Sequence, residues 1–158
     1  MTSSDFTAGL PRKRMGAGVL LSDPDGRILL VQPTYKPDWE IPGGAVEVDE
    51  SPRAAALREM EEELGLSVEI GRLLVTDWVP PRPGRTEGLM LIFDGGVMTP
   101  TRAALIRLPA DELRSWAWCT VGQAGERLSA LLARRVGASV AARAEGSSAY
   151  LEDGYVVA

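Results

Sequence analysis

The sequence predicts an α/β fold, and three observations predict it. Short runs of β-branched and leucine residues alternate with turn residues in the first half of the chain. A segment from Ser51 to Gly65 has both ends of a helix written into it, and Gln123 to Ala144 is leucine- and alanine-rich with helical spacing. The chain has 158 residues, 45% hydrophobic and 25% charged, the composition of one domain able to bury a core.

In chain order, residues 1–14 are polar with a basic run, Arg12-Lys13-Arg14, and are expected to form a flexible or edge-lying arm. Residues 15–158 are expected to form a single domain that includes the C-terminal helix and tail. Gly18–Leu21 and Ile28–Val31 read as strands of a hairpin, with Asp23-Pro24-Asp25-Gly26 as its turn. After a loop carrying Pro33, Pro37 and Trp39, Ile41-Pro42-Gly43-Gly44 presents backbone without bulky side chains, as close approach to a ligand requires.

The helix begins at Ser51, whose hydroxyl can cap the first turn, with Pro52 at the first helical position; Gly65 ends it. Val68–Val79 and Leu89–Met98 read as strands joined by the proline- and arginine-rich loop Pro80–Arg85, a candidate substrate lid. Ala104–Leu108 and Trp116–Val121 are expected to be short strands. In the last helical segment Leu128, Leu131, Leu132 and Val136 form one stripe, and Gly137 is the expected break.

Composition excludes several functions. The formal net charge is −5 and the pI about 4.8, the opposite of the basic footprint a nucleic-acid polymer requires. No apolar run is long enough to span a bilayer, and Met1–Leu10 has no charged n-region followed by an apolar h-region, so a cytoplasmic protein without a membrane partner is expected. Cys119 is the only cysteine and is expected to be buried; with no histidine anywhere, thiol pairs, His-ligated zinc and imidazole bases are all removed. Acid–base chemistry is left to carboxylates, Lys, Tyr or metal-bound water.

Those carboxylates are concentrated in one place. At i, i+3 and i+4, Glu59, Glu62 and Glu63 project from one helical face, with Leu57, Met60 and Leu64 opposite and Ala55 expected to leave room for a ligand between the acids. Like charges this close repel unless a cation neutralises them, and hard oxygen donors suit Mg²⁺ or Mn²⁺.

The stretch Gly44–Leu66 resembles the signature of the Nudix hydrolase family. Gly44, Glu50 after five residues, Arg58-Glu59 after seven more, then Met60, Glu62-Glu63, Gly65 and Leu66 match it throughout. Trp39–Gly44 and Asp111-Glu112-Leu113, followed by Trp116 and Trp118, resemble further family segments. The resemblance implies an α/β/α sandwich around a mixed sheet, and hydrolysis of a nucleoside diphosphate linked to a group X into a nucleoside monophosphate and phosphorylated X. It implies Glu62, Glu63 and the Gly43 carbonyl as ligands of Mg²⁺ or Mn²⁺ and Glu59 as ligand or base, with Glu50 and Arg58 supporting the loop and helix.

Glu63 is a second candidate base, and an acid outside the signature box Gly44–Leu66, Glu112 or Glu87, a further ligand or base. Substrate contacts fall to Gly44, Trp39, Arg82 and Arg85, with Trp78 and Lys36 as weaker candidates. Pro81, fifteen residues beyond Leu66, stands where ADP-ribose pyrophosphatases of the family carry a proline, leaving ADP-ribose, a nucleotide sugar and a nucleoside triphosphate all open as substrates. Dimers are common among relatives, so a homodimer is a possible assembly. A catalytically silent nucleotide-binding module is the alternative, though the box is intact; a diphosphate isomerase of the same fold needs histidines that this chain lacks.

Overall fold

The computed structural model describes residues 3–157. The first two residues of the expected arm, and Ala158 at the end of the expected domain, lie outside them. A short helix, α1 (Ser3–Ala8), precedes the sheet, and Arg14 already belongs to its first strand.

One mixed sheet organises the chain. Its strands are β1 (Arg14–Ser22), β2 (Ile28–Pro33), β3 (Gly43–Ala45), β4 (Leu73–Val79), β5 (Gly88–Val97), β6 (Leu113–Cys119), β7 (Ala149–Glu152) and β8 (Tyr155–Val156). They lie in the order β6-β2-β1-β5-β4-β7-β8, with β3 paired to β1. β1 runs parallel to β5 and β4 parallel to β7; the other pairings are antiparallel.

Both faces of this sheet are covered, which is why β1 and β2 are apolar at successive positions rather than at alternate ones. Ala17, Val19, Leu21, Leu29 and Val31 point to α2 (Pro52–Leu64). Leu20, Ile28 and Leu30 point the other way, into a second core built with Val136 and Ala142 of α5 (Ala130–Glu145) and Ala124 of α4 (Val121–Arg127). The layers are therefore helix, sheet, helix, the expected α/β/α sandwich.

The hairpin turn forms as expected. Asp23 Oδ1 accepts from the N–H groups of Asp25 and Arg27, at 3.0 and 2.8 Å. Its strands then diverge: only Ser22 and Ile28 pair across it, because β3 takes the facing edge of β1 at Gly16–Gly18 and Glu40 takes that of β2 at Val31.

Four expectations are corrected. The strand after α2 begins at Leu73, not Val68. Ala104–Leu108 is not a strand: Thr99 caps the single turn α3 (Pro100–Ala103), and Arg107 N–H then donates to Leu64 O at the end of α2 instead of to a strand. Val121 starts α4 rather than ending a strand. The helical segment breaks at Leu128–Ser129, where Ser129 caps α5, while Gly137 lies inside α5 without interrupting it.

Among the described residues no helix is long and apolar enough to cross a membrane. Cys119 is buried, as expected.

Candidate active site

The local sequence of α2 delivers its acids to a fixed place. Ser51 Oγ accepts from Ala54 N–H at 3.1 Å, Pro52 opens the helix, and Gly65, in the left-handed region with φ 69°, closes it. Ala55, Ala56, Met60 and Leu64 are fully buried in the core beneath β1. The expectation that Ala55 leaves room for a ligand is corrected: its methyl group is core. Leu57 is only partly buried at the edge of that core.

With that face inward, the three acids emerge at different depths. Glu63 is 6% exposed, Glu59 is largely covered, and Glu62 stands in solvent. Glu63 reaches the start of β3, where its Oε1 accepts from Gly43 N–H at 2.7 Å. Both glycines of that strand are required by contact. A Cβ on Gly43 would lie 2.4 Å from Ala17 O, and one on Gly44 would lie 2.4 Å from Glu59 Oε1.

Arg58 holds the outer acids. Its Nε and Nη2 grip both oxygens of Glu50, at 2.8 and 2.9 Å, while Nη1 donates to Glu59 at 3.0 Å and to Glu62 at 3.3 Å. Nη2 also reaches Ala45 O, so one guanidinium ties the loop after β3 to the helix. That fork holds the Glu50 carboxyl down at about 2. Burial raises Glu59, and it pushes Glu63 up to about 8, with Glu59, Glu40 and Glu112 adding repulsion.

The donor set suits a hard divalent cation: carboxylate oxygens and a loop carbonyl, on a buried acid that resists ionisation unless positive charge arrives. Among the described residues no three acidic side chains already converge as a metal cluster. Arg58 draws Glu62 and Glu59 outward and Gly43 draws Glu63 inward, so the acids share a face without meeting at a point.

The NUDIX domain matches residues 12–139, most of the chain. This protein belongs to the Nudix hydrolase family, enzymes that act on pyrophosphate bonds. Over 120 residues this Nudix hydrolase is 28% identical to a MutT-like protein of Streptomyces ambofaciens, covering 76% of this chain and 71% of that one. Over 64 residues it is 42% identical to diphosphoinositol polyphosphate phosphohydrolase 2 of Rattus norvegicus, covering 40% of this chain and spanning only 36% of that protein. A solved UDP-X diphosphatase shares the fold with a TM-score of 0.71 at 17% identity, covering 96% of this chain and 76% of that one.

Around the box of this Nudix hydrolase, the other expected residues fall differently. Glu112 is exposed on the turn before β6, close enough to repel both Glu59 and Glu63. Glu87 is elsewhere: it accepts from Lys13 Nζ at 2.7 Å and from Trp78 Nε1 at 2.8 Å. Trp39 packs into the α5-side core with the Arg127 guanidinium 4.6 Å above its ring, which leaves that face no room for a base.

A cavity of about 710 Å³ opens on the sheet face opposite α2 and reaches the Gly43–Gly44 backbone at one end. Arg82 and Arg85 line it, as do Tyr35, Lys36 and Glu40. A second concavity of about 740 Å³, between Ser67–Gly71 and Asp94–Met98, does not reach Gly43 or Gly44.

Glu40 escaped the sequence reading as a site residue. It pairs its backbone with Val31, through bonds of 2.8 and 2.9 Å, and so turns its carboxylate toward Glu63 and Lys36. Two bulky residues separate it from the glycines, and only that pairing brings it to the site.

Proposed function

We propose that this chain is a pyrophosphohydrolase dependent on Mg²⁺ or Mn²⁺ that cleaves a nucleoside diphosphate linked to X into a nucleoside monophosphate and phosphorylated X. The observation that carries the reading is the contact of Glu63 with Gly43 and of Glu59 with Gly44. It joins the acids of α2 to the two glycines in one acidic corner, and the same two glycines line a substrate-sized cavity on their other side.

Glu59, Glu62, Glu63 and the Gly43 carbonyl would hold the cation, with Glu112 the nearest acid outside the box. The cation would neutralise phosphate oxygens and acidify water. The chain's own groups do the rest. Gly44, with no side chain, lets the Glu59 carboxylate pack against its backbone, and Glu59 or Glu63 would take the proton of the attacking water. Arg58 holds Glu59 and the Glu50 loop in register and spreads positive charge over the outer acids.

The test is a panel of ADP-ribose, nucleotide sugars and nucleoside triphosphates incubated with protein and Mg²⁺ or Mn²⁺, with ¹⁸O-water locating the attacked phosphorus. Turnover of at least one compound is expected, with loss of at least ~100-fold in Glu62→Gln at unchanged thermal stability. No turnover with either metal, or a variant as active as the parent, would sink the proposal.

A further inference from the structure

The far end of the cavity is basic, and the Nudix signature has no part in making it. Strand alternation sends Arg14, Gly16 and Gly18 of β1 to the α5 side, where Met90 and Ile41 lie over the two glycines and the row ends in a guanidinium. Arg85 reaches the same end from the loop between β4 and β5, and Arg135 reaches it from α5.

These three cations differ from the others in the cavity. Lys36 is paired with Glu40, and Arg82 with Asp153. Among the described residues the Arg85 side chain has no hydrogen-bond partner, and Arg14 uses only Nε, which donates to Thr86 O at 2.9 Å.

Arg135 is the most telling. It is 8% exposed, with Nε donating to buried Asp77 at 2.7 Å, and Asp77 is itself fixed by Gly154 N–H at 3.0 Å. Neither Nη finds an acceptor among the described residues, and Arg135 lines the cavity, so its outer donors can serve an anion bound there. Arg14 feels both Arg85 and Arg135 as repulsive neighbours, so the three lie within electrostatic reach of one another. The first turn of α5, Ser129 to Leu132, lines the same space and adds its N-terminal partial charge.

We propose that Arg14, Arg85 and Arg135 bind a second phosphate group, carried by the substrate at a distance from the pyrophosphate that is cut. The inference rests on the pyrophosphohydrolase reading above and narrows its substrate to nucleoside diphosphate derivatives that bear a further phosphomonoester. Spacing separates this group from the scissile one. Arg14 stands four residues along β1 from Gly18, the partner of Gly43, or about 13 Å at the rise of a strand. A ribose or a nucleoside between the two phosphates suits that spacing better than the contiguous phosphates of a triphosphate. Guanidinium forks suit phosphate oxygens, which take two parallel N–H donors.

The experiment compares ADP-ribose with its 2′-phosphate and its 1″-phosphate, which carry the extra group at opposite ends. Calorimetric titration in EDTA reads binding without metal, and turnover with Mg²⁺ is measured in parallel. One phosphorylated compound is expected to bind at least about tenfold more tightly than ADP-ribose, as two or more charge-assisted hydrogen bonds provide. That preference is expected to fall below about threefold in both Arg85→Gln and Arg14→Gln, with unchanged circular dichroism, and to shrink with added salt.

Equal binding of the three compounds, no binding of any, or a preference that survives both substitutions overturns the second-phosphate site. No turnover alongside an intact preference overturns the hydrolase reading and leaves this site standing.

Discussion

Replacing Glu63 by Gln is expected to stabilise the metal-free protein at alkaline pH while abolishing turnover. Glu63 is 6% exposed, and its carboxyl is pushed from 4.5 to about 8. Between those values the folded chain binds a proton that the unfolded chain has lost, so folding stability falls as pH rises through this window and is lowest above it. The full shift corresponds to an upper limit of about 5 kcal/mol. Relaxation and water penetration reduce it, and about 2 kcal/mol is a working figure.

Gln carries no charge, and its amide oxygen can still accept the Gly43 N–H, so the variant escapes the penalty and keeps the contact. Thermal unfolding in EDTA at about pH 5 and about pH 9 measures this. Relative to wild type, Glu63→Gln is expected to gain roughly 4–8 °C at the higher pH and little at the lower. Adding Mg²⁺ or Mn²⁺ is expected to raise the wild type alone. A variant that loses stability relative to wild type as pH rises would refute the reasoning, because Glu63 would then be stabilising as a charge.

The remaining predictions concern the groups around it. Arg58→Lys keeps a charge but loses the two-pronged grip on Glu50; a cost of about 1–2 kcal/mol in urea denaturation and a drop in kcat/KM of ~10–100-fold are expected. Gly44→Ala places a methyl group against the Glu59 carboxylate, whose flexible end gives way; stability is expected to change by about 1 kcal/mol while turnover falls at least about tenfold. Glu87→Gln, which serves Lys13 and Trp78 and not the acidic corner, is expected to leave kcat unchanged and to shift the melting temperature only slightly.

Much of the acidic corner was legible because its chemistry is local. Ser51, Pro52 and Gly65 state the limits of α2 in their own residue types, and the helical period then assigns its faces. What the period could not show was depth. Glu59, Glu62 and Glu63 are alike on a helical wheel, but β3 covers one of them, shields another and leaves the third in water. Ala55 was misplaced for a similar reason: the core lies under β1, at an angle the wheel does not know, and it takes in Ala55 as well as the edge of Leu57. The Ala104–Leu108 run reads as a strand by composition, and only the free carbonyl at the end of α2, which takes the Arg107 N–H, explains why it is not one.

The basic end was hidden by context of a different kind. Arg14 closes a basic run in a segment expected to be an arm, and Arg135 sits in an alanine- and arginine-rich helix whose arginines suggest a solvated face. The stripe that packs inward from α5 is Leu132, Val136, Ser139 and Ala142, and Arg135 lies on it, one turn after Leu132. An arginine among the inward positions of an amphipathic helix needs a buried partner, and Asp77 supplies it from β4. That single pair decides what the sheet separates. The face of β1 that meets α2 carries small apolar residues beneath the acids, and the opposite face carries glycines leading to three guanidiniums. Asp77→Asn, which keeps an acceptor but removes the charge, would release the Arg135 guanidinium while leaving the acidic corner beyond the sheet as it stands. Affinity for the second phosphate and the rate of phosphoanhydride cleavage are therefore expected to respond to different residues, and the two can be altered one at a time.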